Sequence, residues 1–203
     1  MTKLYYGPGA CSLASHIVLR EAGIEPSLVK VSTKTHQTED GGDFYAINPK
    51  GYVPTLELNG GEILTEGPAI MQYVADLHPT TGLAPAPGTL ERARLQEQLA
   101  FIGTEIHKSF SPLFTPGMPE EAKATFRDKI AGRFDLVENG LADGRPYLLG
   151  DRFSVADAYL FAVSNWAPGV GIELSRWPKL AALQARVAAR PAAQAAMAAE
   201  GLI

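Results

Sequence analysis

Polar and apolar positions alternate in changing rhythms over the first eighty residues. Lys3–Tyr6 reads as a short strand that Gly7-Pro8-Gly9 breaks. Leu13 with Ile17, and Ala14 with Val18, then recur at helical spacing until Gly23 ends the helix. Ser27–Val31 reads as a second strand, so strand, helix and strand make a parallel βαβ unit. Thr55–Leu58 and Glu62–Leu64 flank Asn59-Gly60-Gly61, a strong hairpin signal. Pro68 opens a helix carrying Ile70, Val74 and Leu77, since proline suits the first helical turn.

After residue 80 the grammar changes. Residues 81–88, rich in proline and glycine, read as a linker. Every later pattern is helical. Leu95, Leu99, Ile102 and Ile106 form one stripe, and Ala122, Phe126, Ile130, Phe134, Val137 and Leu141 form a longer one. Ser154-Val155-Ala156-Asp157 has the form of a capping box with Asp in place of Glu, and leads into a helix over 158–166. Leu180, Leu183 and Val187 make another stripe, stopped by Pro191, and an alanine-rich helix runs to about Glu200. The expected organisation is an α/β domain over 1–80, a linker over 81–88 and an all-α domain over 89–203.

Composition narrows the partners. The hydrophobic share of 46% and charged share of 20% suit a globular protein with a sizeable core. A net charge of −4 without any Lys/Arg run argues against nucleic acid. No apolar stretch is long enough to span a membrane. Met1–Tyr6 lacks the apolar core of a signal peptide, and the single cysteine excludes an internal disulfide, so the expected location is the cytoplasm. The four histidines have no partner at metal-ligand spacing, so no metal site is expected.

The single cysteine, Cys11, follows a Gly-Pro-Gly-Ala bend and precedes a helix. A helix N-terminus makes a thiol more acidic than its ordinary value of about 8.5. A small buried apolar role is the alternative for such a residue. Glu66-Gly67 opens the helix after the hairpin and offers an anion site, or Glu66 simply complements the helix dipole. A trans turn is expected at Val53-Pro54; a cis bond there exposes the Val53 backbone to an extended peptide. His107 lies off the centre of its helical stripe, where a surface or structural role competes with a chemical one. Phe110 and Phe114 follow on the same segment, and Trp166 is either a pocket wall or core.

Taken together, "YGPGACSLASHI" (6–17), "FYAINPKGYVPTLEL" (44–58), "LTEGPAIMQYVADLHP" (64–79), "TEIHKSFSPLF" (104–114) and "FSVADAYLF" (153–161) resemble the cytosolic glutathione S-transferases, specifically the bacterial beta class. The resemblance covers the whole chain. It implies a thioredoxin-like domain joined to a helical domain, a homodimer, and glutathione as co-substrate without a resident cofactor. Cys11 matches the class's cysteine near the glutathione sulfur. Val53 matches the residue whose backbone pairs with the cysteinyl unit, and it precedes a proline, Pro54, that is cis in this fold. Glu66 and Gly67 match the pair holding the γ-glutamyl end. Many relatives have Ser at the Gly67 position, so here only the backbone N–H is offered. His107 matches a histidine facing the thiol from the helical domain. The glycyl carboxylate falls to His36, where relatives often have Lys, or to Lys34. An asparagine that some relatives offer across the dimer aligns with Ala100 and is not carried over.

The function implied is conjugation of the glutathione thiolate to small hydrophobic electrophiles, a detoxification reaction, with Phe110, Phe114 and Trp166 as the hydrophobic site. Tyr6 and Ser12 are alternative hydroxyl donors to the thiolate, since other classes use a tyrosine or serine. A glutathione-dependent thiol–disulfide reductase or peroxidase acting through a Cys11–glutathione mixed disulfide is the enzymatic alternative. A non-enzymatic carrier of hydrophobic ligands is the third reading.

Overall fold

The computed structural model describes residues 2–203, which form two compact units. One runs to Ala84 and takes in Ala189–Ile203; the other is Pro85–Ala188.

The first unit is built on a four-stranded sheet in the order β2-β1-β3-β4. Strand β1 (Lys3–Tyr6) leads to helix α1 (Ser12–Glu21) and strand β2 (Ser27–Lys30), which pairs parallel with β1. This is the βαβ unit the periodicity predicts. Strand β3 (Thr55–Glu57) pairs antiparallel with both β1 and β4 (Ile63–Thr65). The hairpin thus closes one residue later on its second strand than the apolar pattern suggests. Helix α2 (Gly67–Leu77) has Pro68 in its first turn. Helices α1 and α2 pack together, and Leu13, Ile17 and Leu19 of α1 and Ile70 and Met71 of α2 are fully buried. Each such side chain contributes about 1.5–3 kcal/mol of burial. Successive residues of a strand point to opposite faces. Tyr5 accordingly joins Val31 and Phe44 in a cluster that Val53 packs against, while the Tyr6 ring lies beside His16 of α1.

The second unit starts with helix α3 (Leu90–Phe101), capped by the Thr89 hydroxyl, which accepts from the Arg92 N–H at 3.2 Å. The chain continues through a π-helical segment, Ile102–His107, and one further turn, α4 (Lys108–Phe110). The stripe Leu95, Leu99, Ile102, Ile106 is buried throughout, so the wider turn is absorbed without exposing it. Helices α5 (Glu120–Gly140), α6 (Val155–Ser164) and α7 (Pro178–Ala188) follow. All ten residues of α6 are buried, Asp157 and Ser164 among them. Its capping box forms: Asp157 Oδ2 accepts from the Ser154 N–H and hydroxyl at 2.8 and 2.7 Å, and Oδ1 from the Leu148 N–H at 2.8 Å. Burial pushes the Asp157 carboxyl up despite these hydrogen bonds.

The last helix, α8 (Pro191–Ala199), departs from the expected boundary. The sequence pattern assigns it to the helical domain, yet it packs against α1 in the first unit. Its buried alanines, Ala193 and Ala196, allow close approach, and the ion pair of Arg190 with Glu21 fixes its start. No described helix is long and apolar enough to cross a membrane.

Candidate functional site

Cys11 stands at the N-cap of α1, half-buried, at the end of a tight turn. The turn is closed by the Ala10 N–H donating to the Gly7 carbonyl at 2.9 Å. Gly9 adopts φ +67°, a conformation that glycine takes without steric cost. The Ser12 hydroxyl accepts from the Gly7 N–H and donates to the Gly7 carbonyl, both at 3.2 Å. Ser12 is fully buried, with its hydroxyl engaged in the turn. The Tyr6 ring centre lies 6.4 Å from that of His16, and burial, with the Glu200 and Glu39 charges, raises its pKa.

The Cys11 thiol donates to the Val53 carbonyl at 3.3 Å. The Val53-Pro54 bond is cis, as the resemblance implies and contrary to the trans turn read from the residues alone. Asn48 fixes the approach to this bond: its amide donates to the Tyr52 carbonyl at 2.8 Å and to the Thr55 hydroxyl at 2.9 Å. A Cβ placed on Gly67 would lie 3.6 Å from Pro54 Cγ, so the start of α2 abuts the same proline. Cys11, Val53, Pro54 and Gly67 therefore converge within one unit.

Glu66 precedes α2 with φ +72°, a conformation costing a non-glycine residue about 1–2 kcal/mol. Its carboxylate receives the Lys50 ammonium at 2.9 Å, and the same ammonium donates to the Thr65 hydroxyl at 3.1 Å. The sequence does not mark Lys50. A lone lysine in a loop carries no signal there, and only the fold brings it to Glu66.

His36 also has a positive φ, +53°, and its Nδ1–H donates to the Gly51 carbonyl at 2.9 Å. The ring leans on Tyr45 with centres 4.7 Å apart. A Cβ on Gly51 would come within 2.5 Å of the Tyr45 ring, so glycine is required there. Lys34, two residues away, is exposed.

In the second unit the structure groups His107, Phe110, Phe114 and Trp166. The Trp166 ring centre lies 5.1 Å from His107, 5.5 Å from Phe110 and 5.8 Å from Phe114, each edge-on. The four rings are not equivalent. Phe110 is fully buried and also meets Phe134, so it backs the cluster and does not line a surface. Phe114 is 55% exposed and Trp166 half-buried, so these two present the aromatic face. His107 ends the π-helical segment, and its Nδ1 is hydrogen-bonded to the buried Tyr159 hydroxyl at 2.7 Å. Tyr159 fixes the imidazole, and the sequence marks it only as a hydroxyl-bearing residue within a largely apolar helix.

A parallel βαβ unit joined to an antiparallel hairpin, with a cis-proline opposite a cysteine at the mouth of α1, defines a thioredoxin-like domain, here followed by a helical one. The chain belongs to the glutathione S-transferase family, in its bacterial beta class. The family's N-terminal domain matches residues 1–76 and its C-terminal domain residues 101–191. Glutathione S-transferase GstA of Escherichia coli O157:H7 is 47% identical over 98% of this chain and 99% of its own. Among solved structures, the beta-class transferase of Sphingomonas chungbukensis is 48% identical with a TM-score of 0.95, covering 99% and 100% of the two chains. A sphingomonad glutathione S-transferase complexed with glutathione is likewise 48% identical with a TM-score of 0.94 over the same shares. The protein is thus a glutathione transferase enzyme.

Proposed function

We propose that this enzyme joins the thiolate of glutathione to small hydrophobic electrophiles, and that Cys11 and Val53 form the seat of the glutathione sulfur. The observation that carries this reading is the 3.3 Å contact between the Cys11 thiol and the carbonyl preceding the cis-proline. Among the described residues nothing accepts from the Val53 N–H, which leaves an extended-peptide donor beside the cysteine. The γ-glutamyl end falls to the Glu66 carboxylate and the Gly67 N–H at the start of α2, where backbone donors and the helix dipole favour a carboxylate. His36 and Lys34 are the side chains offered to the glycyl carboxylate.

The physical task is to raise the thiolate fraction. A thiol with a pKa near 8.5 is about 3% ionised at pH 7, and lowering that value by about two units would raise this to roughly three quarters. With Ser12 committed to Gly7 and Tyr6 turned to His16, the task in the first unit falls to Cys11 and the backbone donors around it. The thiolate sulfur then forms a bond to the electrophilic carbon, and the leaving group departs with the bonding pair. In the second unit, Phe114 and Trp166 offer an aromatic face for the co-substrate, with His107 held beside them.

A second reading rests on Cys11 being the sole thiol of the chain. Its thiolate attacks the glutathionyl sulfur of a mixed disulfide and releases the other thiol; a second glutathione then regenerates Cys11 as oxidised glutathione leaves. An assay at saturating glutathione with one aryl halide and one glutathione mixed disulfide separates the two. Turnover of the halide alone supports conjugation, turnover of the disulfide alone supports the reductase, and glutathione-independent binding of apolar dyes without turnover defeats both.

A further inference from the structure

Glu200 closes α8, and its side chain has no solvent exposure. A lone buried carboxylate is costly, so its partners state its purpose. Oε2 accepts from the Gly9 N–H at 3.0 Å, across 191 positions of sequence. Oε1 lies 2.9 Å from His16 Nδ1, also fully buried. His16 Nε2 lies 2.9 Å from Arg20 Nε, which can only donate. Nε2 is therefore an acceptor, the proton sits on Nδ1, and His16 donates to Glu200. The Arg20 fork is held in turn by both carboxylate oxygens of Glu25, at 3.0 and 2.8 Å. Leu202, just beyond Glu200, closes over Gly9: a Cβ there would meet Leu202 Cδ2 at 3.4 Å.

This chain of bonds ends on the turn that presents the cysteine. Ser12 ties the start of the turn, Gly7, and Glu200 ties its middle, Gly9, two residues before Cys11. We infer that Glu200 is a positioning residue for the Cys11 thiol. Its carboxylate clamps the 7–10 turn so that Cys11 stays at the first turn of α1 and against the Val53 carbonyl. The C-terminal segment is thereby part of the sulfur site's scaffold. The inference rests on the reading of Cys11 as the sulfur-site residue, but its test uses no glutathione.

Two effects of Glu200 oppose each other. Its negative charge near the turn disfavours a thiolate, whereas its grip on Gly9 keeps the thiol where the α1 N-terminus favours one. The clamp predicts that losing Glu200 lowers Cys11 reactivity; charge alone predicts a rise. The full-length protein is treated with iodoacetamide at pH 7, and single alkylation is followed by intact mass, which reports Cys11 alone because no other cysteine exists. Glu200→Gln with a native circular-dichroism spectrum is expected to slow alkylation about tenfold. An unchanged or faster rate overturns the inference. Hydrogen exchange on the unaltered protein decides independently of how the variant folds. The Gly9 amide is expected to be protected as strongly as amides within α8, and free exchange at Gly9 refutes the clamp. Glutathione binding by equilibrium dialysis tests the sulfur-site reading separately.

Discussion

The Cys11 thiol and the Val53 carbonyl are hydrogen-bonded at 3.3 Å, joining the mouth of α1 to the residue before the cis-proline. Neither residue is near the other in sequence, and the contact exists because β1 and β3 are neighbours in the sheet. It gives the single cysteine a definite partner, so its removal has definite consequences.

Cys11→Ala is expected to abolish reduction of glutathione mixed disulfides, because no second thiol can replace it. Conjugation is expected to fall as well, by about tenfold in kcat, since the Ser12 hydroxyl is engaged with Gly7 and the Tyr6 ring lies beside His16. Steady-state kinetics with both substrate types check this. Full conjugating activity in the variant would show that backbone donors suffice.

Glu66 and Lys50 are expected to respond differently, although they form one ion pair. Glu66→Ala removes the acceptor proposed above for the γ-glutamyl ammonium. A charge-assisted hydrogen bond is worth about 1.5–3 kcal/mol, so glutathione affinity should drop roughly ten- to a hundredfold. Lys50→Ala breaks a pair whose side chains are 53% and 64% exposed, and such pairs contribute about 0–1 kcal/mol. It frees the Glu66 carboxylate for the ligand and should leave glutathione affinity equal or up to about threefold tighter. Isothermal titration of both variants checks the pair, and equal losses would make Lys50 a direct ligand contact.

Tyr159 should reveal itself through His107. Tyr159→Phe keeps the ring packed in α6 and deletes only the hydroxyl bonded to His107 Nδ1. A buried neutral hydrogen bond contributes about 1 kcal/mol, so the melting temperature should shift by only a few degrees. The kcat should fall about fivefold with little change in the KM for glutathione. His107→Ala should show the same split, larger. A fall in stability with normal specific activity makes the pair structural.

The sequence made some of these relationships legible and concealed others. Local chemistry was readable. The strand Lys3–Tyr6, the hairpin about Asn59-Gly60 and the capping box of Ser154 with Asp157 each declare themselves within a few residues. The resemblance names Cys11, Val53, Glu66 and His107 as site residues, on local motifs alone. Relationships between distant positions were not readable. Alanine-rich α8 gives no sign that it lies on α1, because its decisive contacts, Glu200 with His16 and with Gly9, span 184 and 191 positions. The π-helical segment was hidden because the stripe Leu95, Leu99, Ile102, Ile106 fits an ordinary helix equally well. That the Ser12 hydroxyl bonds to Gly7 and the Tyr6 ring lies beside His16 depends on rotamer and strand face, which a residue list does not specify.

Tyr5 supplies a pH test that is independent of the sulfur site. Its hydroxyl donates to Glu57 Oε2 at 2.7 Å, and Lys3 bonds the same carboxylate at 3.0 Å. The ring is buried against Phe44. Burial first, then the hydrogen bond and charge of Glu57, push the phenol up to about 12 from its ordinary value of 10. The folded protein therefore keeps the proton over a range in which the unfolded chain releases it. A group with a raised folded pKa contributes stability that is complete below the unfolded value and lost as pH rises through the folded one. The window is thus about pH 10 to 12. Tyr5→Phe retains the ring, lacks the titrating proton, and is less stable at pH 8 because the Glu57 bond is gone. The stability gap between the two proteins, measured by urea denaturation, is expected to be constant up to about pH 9.5 and to shrink steadily towards pH 12. A gap that stays constant across that range would mean that Tyr5 titrates alike in the folded and unfolded chain and that the Glu57 bond does not hold its proton.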